Sequence, residues 1–100
     1  MKSLQKFVDR AYAIAQQQKW KKDWANGGCY LHLESSEFIE ALRGKGESPP
    51  AEEAGDVLFA LFTMMGYYKI PISEVLHHLD RKIKIFETPK KSEGDSDADV

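Results

Sequence analysis

Cysteine is nearly missing from this chain: Cys29 is the only one in 100 residues. No intrachain disulfide can form, and a reducing, cytoplasmic setting is expected. Long hydrophobic runs are missing too. The greasiest stretch, residues 57–65, is about half of the ~20 residues that a membrane-spanning helix needs. No basic segment leads into an apolar one, so neither a signal peptide nor a membrane partner is expected. Neither sign of charge dominates, with sixteen acidic groups against fourteen basic. Residues 89–100 hold four of those acids and two of the bases, which leaves residues 1–88 balanced. Binding to a nucleic-acid backbone needs a basic surface, so nucleic acid is not an expected partner. No convincing alternation of apolar and polar residues marks a strand, and no internal repeat is present.

What is there is helical spacing, four times over. The first helix is expected over residues 3–18, with Leu4, Phe7, Val8, Ala11, Ile14 and Ala15 on one face and Ser3 as N-cap. Gly27 and Gly28 should break any helix entering them. A second helix then covers about residues 29–43, with Tyr30, Leu31, Phe38, Ala41 and Leu42 turned inward. Gly44, Gly46 and two prolines end it. The third runs from Pro49 or Pro50 to about Tyr68, with Ser48 as a possible cap. It is apolar all round after Val57, and such a helix is buried on all sides. In so short a chain that calls for a partner subunit. The fourth begins with Ser73 as N-cap and ends at Thr88–Pro89. The expected fold is all-α, a four-helix protomer of residues 1–88 packing into an oligomeric bundle. Residues 89–100 read as a disordered acidic tail.

Four carboxylates stand out on this scaffold. On a helical wheel Glu37 lies about 60° from Glu34 and Phe38 about 40° to the other side, so both acids fall within the apolar stripe. Glu40, about 120° away, should be solvated. The third helix repeats the spacing with Glu53 and Asp56 beside Val57, Ala60 and Met64, while Glu52 points aside. Acids at i, i+3 lie one above the other, within reach of a common ion. Four buried carboxylates without matching Arg or Lys need cations. An oxygen-only set without His or Cys selects hard ions, Mg²⁺ or alternatively Mn²⁺. The competing reading is that the third helix is offset and the acids face solvent beside a groove. If a metal binds, it points to hydrolysis of a phosphate ester or anhydride.

The residues Glu34-Ser-Ser-Glu37 and Glu53-Ala-Gly-Asp56, with residues 38–52 between them and "VLFAL" after, resemble the MazG-like all-α nucleoside triphosphate pyrophosphohydrolases. That family is related to dimeric dUTPase, dCTP pyrophosphatase and phosphoribosyl-ATP pyrophosphatase. The resemblance spans roughly residues 28–87. It implies a homo-oligomer, dimer or tetramer, with Mg²⁺ on Glu34, Glu37, Glu53 and Asp56. One of these four acids would activate the attacking water, without the sequence saying which. It further implies cleavage of an NTP or dNTP between the α- and β-phosphates, and a role in nucleotide-pool house-cleaning. Basic residues of the last helix would meet the phosphates: Lys82 first, then Lys84, with Lys22 nearer the second helix. For the base, Trp20, Trp24 and Asn26 are the candidates, although either Trp can equally pack on the bundle.

One further pattern is set aside, and one rival reading stays open. "EVLH", residues 74–77, spells half of a di-iron motif, but the second half is missing and Glu74 and His77 point outward. The rival from another class is a non-catalytic helical oligomerisation or interaction module whose acids are incidental.

Overall fold

The computed structural model describes residues 2–20 and 24–88, and of Lys2 and residues 24–29 the backbone alone. The described residues form four helices and no strand, as expected: α1 (Lys2–Gln17), α2 (Trp24–Leu42), α3 (Pro50–Tyr67) and α4 (Ile72–Glu87). The acidic tail, residues 89–100, lies outside the described residues.

Three boundaries differ from the sequence expectation, each for a physical reason. Helix α2 starts at Trp24 and runs straight through Gly27 and Gly28. Each glycine costs a helix only about 1 kcal/mol relative to alanine, and unlike proline it keeps the hydrogen bond. The α3 cap is Pro49 rather than Ser48, with Pro50 in the first turn, where its missing N–H is no loss. Likewise α4 is capped by Pro71, and Ser73 sits inside the first turn. There the Ile72 N–H donates to Gln5 Oε1 of α1 at 2.9 Å, so the start of α4 is satisfied by tertiary contact.

Three of the four helices, α1 to α3, are followed by left-handed residues. Gly44, at φ 76°, closes α2, with Gly44 N–H donating to Ala41 O and Lys45 N–H to Glu40 O. Lys19 and Lys69 take the same conformation after α1 and α3.

Helix α3 is the axis of the protomer, with α2 packed on one side and α1 on the other. The backbone of α4 comes close to that of α1 alone. A core of Val8, Met65 and Ile72 joins α1, α3 and α4, flanked by Leu4, Leu61, Phe62, Val75 and Leu76. Small residues let the helices close up: Ala11, Ala15, Ala41 and Ala60 are all buried. Gly66 matters most here, since a Cβ at that position would lie 2.8 Å from Tyr12 Cγ. Tyr12 then meets Tyr67 edge to face at 5.2 Å.

The protomer leaves a good deal of apolar surface bare. Of α3, Ala60 and Met65 are buried, whereas Leu58 is half exposed. On α4 one stripe is covered at Ile72, Val75 and Leu76 but open at Leu79, Ile83 and Phe86, the last 76% exposed. Leu42, expected inward, is also exposed. Among the described residues α2 has α3 as its single neighbour, so its covered stripe narrows to Leu31, Glu34, Phe38 and Ala41. No helix of the described residues is long and apolar enough to cross a membrane.

Candidate metal centre between α2 and α3

Glu34 is the one charged residue buried among the described residues, at 7% exposure, and it occupies the middle of α2's covered stripe. Glu37 lies one turn further on, exposed at the edge of that stripe. Glu53, half-buried, comes from the first turn of α3, where the helix dipole favours a negative group. The two helices bring one carboxylate oxygen from each of these three acids within 4.8 Å of one another. Asp56, half-buried one turn along α3, stands beside this trio but outside it.

The trio is electrostatically unfinished. Glu34 Oε1 and Glu53 Oε1 are both buried and have no hydrogen-bond partner. Leaving such an atom unsatisfied costs about 1–3 kcal/mol, and more if it is charged. Burial pushes the Glu34 carboxyl above the ordinary carboxylate range, and the nearby charges of Glu37, Asp56 and Glu53 push the same way. A hydrogen bond from the Tyr30 hydroxyl is the one opposing influence. Tyr30 in turn is raised, first by partial burial and then by the charge and hydrogen bond of Glu34, with Asp56 and Glu37 adding to it.

These atoms fit a hard divalent cation. The donors are all oxygens, two of them are orphaned, and the trio is short of positive charge. No lysine or arginine among the described residues pairs with it; the ion pairs present are Arg43–Glu40 at 3.7 Å and Lys84–Asp80 at 3.1 Å. Ser35, between the two α2 acids, turns its hydroxyl away to Leu31 O at 3.0 Å. Glu40 carries its charge at the surface with Arg43.

The other expected site residues are not gathered here. Lys82 and Lys84 are exposed in the second half of α4, beyond Ile72, Val75 and Leu76 by which that helix joins the core, and its backbone comes close to neither α2 nor α3 among the described residues. Trp20 is half exposed, edge-on to Phe59 of α3 at 6.1 Å, and its carbonyl accepts the Tyr67 hydroxyl. Its indole therefore packs against α3. Trp24 and Asn26 lie in the first turn of α2, but their side chains, like Lys22, fall outside the described residues. His32, Glu74 and His77 are exposed, as the wheel requires.

The sequence reading assigned Tyr30 to core packing, whereas the structure leaves it 44% exposed on α2, one turn before Glu34. Compared with family models, curated proteins and solved structures, the chain finds no significant match to any of the three.

Proposed function

We propose that this protein is a Mg²⁺-dependent nucleoside triphosphate pyrophosphohydrolase. It would release a (deoxy)nucleoside monophosphate and pyrophosphate, in the reducing interior of the cell. The observation that carries this reading is the buried Glu34, whose unpartnered Oε1 sits in a cluster with Glu37 and Glu53. Such a group persists in a fold when a cation completes it. The spacing of the four acids, and its resemblance to the MazG-like pattern, supplies the reaction class.

Glu34, Glu37 and Glu53 are the ligands in this proposal. When bound, a hard divalent ion supplies the charge that grips phosphate oxygens and acidifies water. Asp56 stands off the trio and keeps its carboxylate for the water. It takes the proton as the water oxygen attacks the α-phosphorus and the bond to the β-phosphate oxygen breaks, with pyrophosphate leaving. Lys82 and Lys84 serve the phosphates only if a second protomer carries them to the site. The open stripe of Leu79, Ile83 and Phe86 on α4, with Leu58 exposed on α3, supports a homo-oligomer, since lone subunits seldom expose large apolar faces.

The same bare surface favours the second reading, an interaction module without catalysis. Pyrophosphate release from a panel of NTPs and dNTPs with Mg²⁺ separates the two. The hydrolase gives Mg²⁺-dependent turnover of at least one nucleotide. If no member of the panel is hydrolysed and Asp56→Asn changes nothing, the enzyme reading fails.

A further inference from the structure

Two apolar surfaces of this chain lack a partner, and their shapes match. The first is a groove of about 410 Å³ between α1 and α3. Its α1 wall runs from Leu4 to Ile14, about 15 Å of helix, and its α3 wall from Gly55 to Phe62. Phe7 and Leu58 stand half exposed on those walls, and Arg10 is the one charged residue on them. The second surface is the later half of α4. There Leu79, Ile83 and Phe86, at i, i+4 and i+7, form one open stripe about 10 Å long. That is the anchor pattern of a helix lying in an apolar groove. Charge matches as well. Glu87 falls about 40° from Ile83, at the edge of the stripe, while Arg81 and Lys84 lie about 140–160° from Leu79, on the wet side. Neither Arg10 nor Glu87 has an ion-pair partner among the described residues.

The stripe does not serve the groove of its own chain. Ile72, Val75 and Leu76 root α4 in the core, and Leu4 and Phe62, which flank that core, also line the groove. The rooted half of α4 thus stands at the margin of the groove, and the open half runs on with its backbone clear of α3. A second copy carries both surfaces. We infer that two copies of the chain exchange their α4 helices, each laying its Leu79, Ile83 and Phe86 stripe in the α1–α3 groove of the other, with Glu87 facing Arg10. Such an exchange is isologous and closed, so one two-fold contact covers both stripes and both grooves. It rests on the homo-oligomer reading, to which it gives the surfaces, and it is independent of any metal. Phe62 lies about 180° around α3 from Glu53, so the acidic centre stays open on the far side of that helix.

The test is sedimentation of the full chain and of Phe7→Asp and Phe86→Asp, alone and mixed, with helicity followed by circular dichroism. Both residues are exposed, so neither change opens the core. The parent should sediment as a dimer and each variant as a monomer of parental helicity. An equimolar mixture should recover dimer, because the Phe86→Asp copy offers an intact groove to the intact stripe of the Phe7→Asp copy. Arg10→Glu should weaken the dimer by up to about tenfold, and adding Glu87→Arg should restore it. Should either aspartate variant lose helicity, this charge swap decides. An oligomeric parent that Phe86→Asp leaves unchanged, a mixture that stays monomeric, or a charge swap without rescue overturns the exchange and leaves the homo-oligomer reading standing. If the parent is a monomer, both fall. A monomer that binds anionic lipid vesicles, and loses them on Phe86→Asp, assigns the stripe to a membrane surface and overturns the exchange too.

Discussion

The two sides of α3 make opposite demands. Toward α2 the helix carries Glu53, which clusters with Glu34 and Glu37, and Asp56, whose charge acts on Glu34 from beside the cluster. Toward α1 it carries Leu58, Phe59 and Phe62, which with Leu4, Phe7, Ala11 and Ile14 line a groove of about 410 Å³. On the first side, charge has been placed where burial penalises it. On the second, apolar surface has been left where water penalises it, with Phe7 and Leu58 each about half exposed. A lone protomer satisfies neither side. Under the proposed function a cation would relieve one side and apolar cover the other, so the helix that organises the fold would also join catalysis to assembly.

The largest effect belongs to the acidic side. Asp56→Asn should lower the rate of pyrophosphate release on the order of 10²–10⁴-fold, as loss of a general base does, while leaving the oligomer intact by sedimentation. On the apolar side, Phe7→Asp places a charge in the groove. It should shift the sedimentation profile toward the monomer and leave Mg²⁺ affinity close to the parent value. Should Phe7→Asp sediment like the parent, the groove is not the assembly face. A third change tests how tightly the apolar side is packed. Gly66→Ala drives a methyl into Tyr12 and should cost about 1–3 kcal/mol in urea denaturation. Gly55→Ala, with open space around it, should gain up to about 1 kcal/mol from helix propensity.

The smallest effect is a pH dependence. Because the folded-state pKa of Glu34 is raised above its unfolded value, the folded protein binds the proton more tightly. In metal-free buffer the benefit is fully present below the unfolded carboxylate pKa and is lost as pH rises through the raised folded pKa. Thermal melts without metal should therefore lose stability over that window, and Glu34→Gln should flatten the loss. Saturating Mg²⁺ should also remove it, by favouring the ionised form.

The sequence reading recovered the four helices and the direction of Glu34, because a 3.6-residue period says which residues share a face. It could not say how wide that face is. Leu42 and Tyr30 looked inward by spacing, yet α2 has one neighbour and covers a narrower stripe. Nor did the period of α4 reveal that only its first half finds partners within the chain, since Ile72 and Phe86 look alike on a wheel. Gly27 and Gly28 misled because glycine weakens a helix without forbidding it. Ser73 lost its capping role to Gln5, a residue 67 positions away that no local signal could nominate. Lys82 and Lys84 were nominated by the family resemblance, and where they stand relative to the acids depends on how α4 docks, which no local pattern encodes.

The central claim is that the cluster of Glu34, Glu37 and Glu53 holds a divalent cation. Calorimetric titration of Mg²⁺ into the parent protein and into Glu37→Gln tests it most directly, because Glu37 is exposed and its replacement spares the core. The account predicts saturable binding by the parent that Glu37→Gln abolishes. Heat of equal size and affinity from both proteins, or none from the parent, would contradict it.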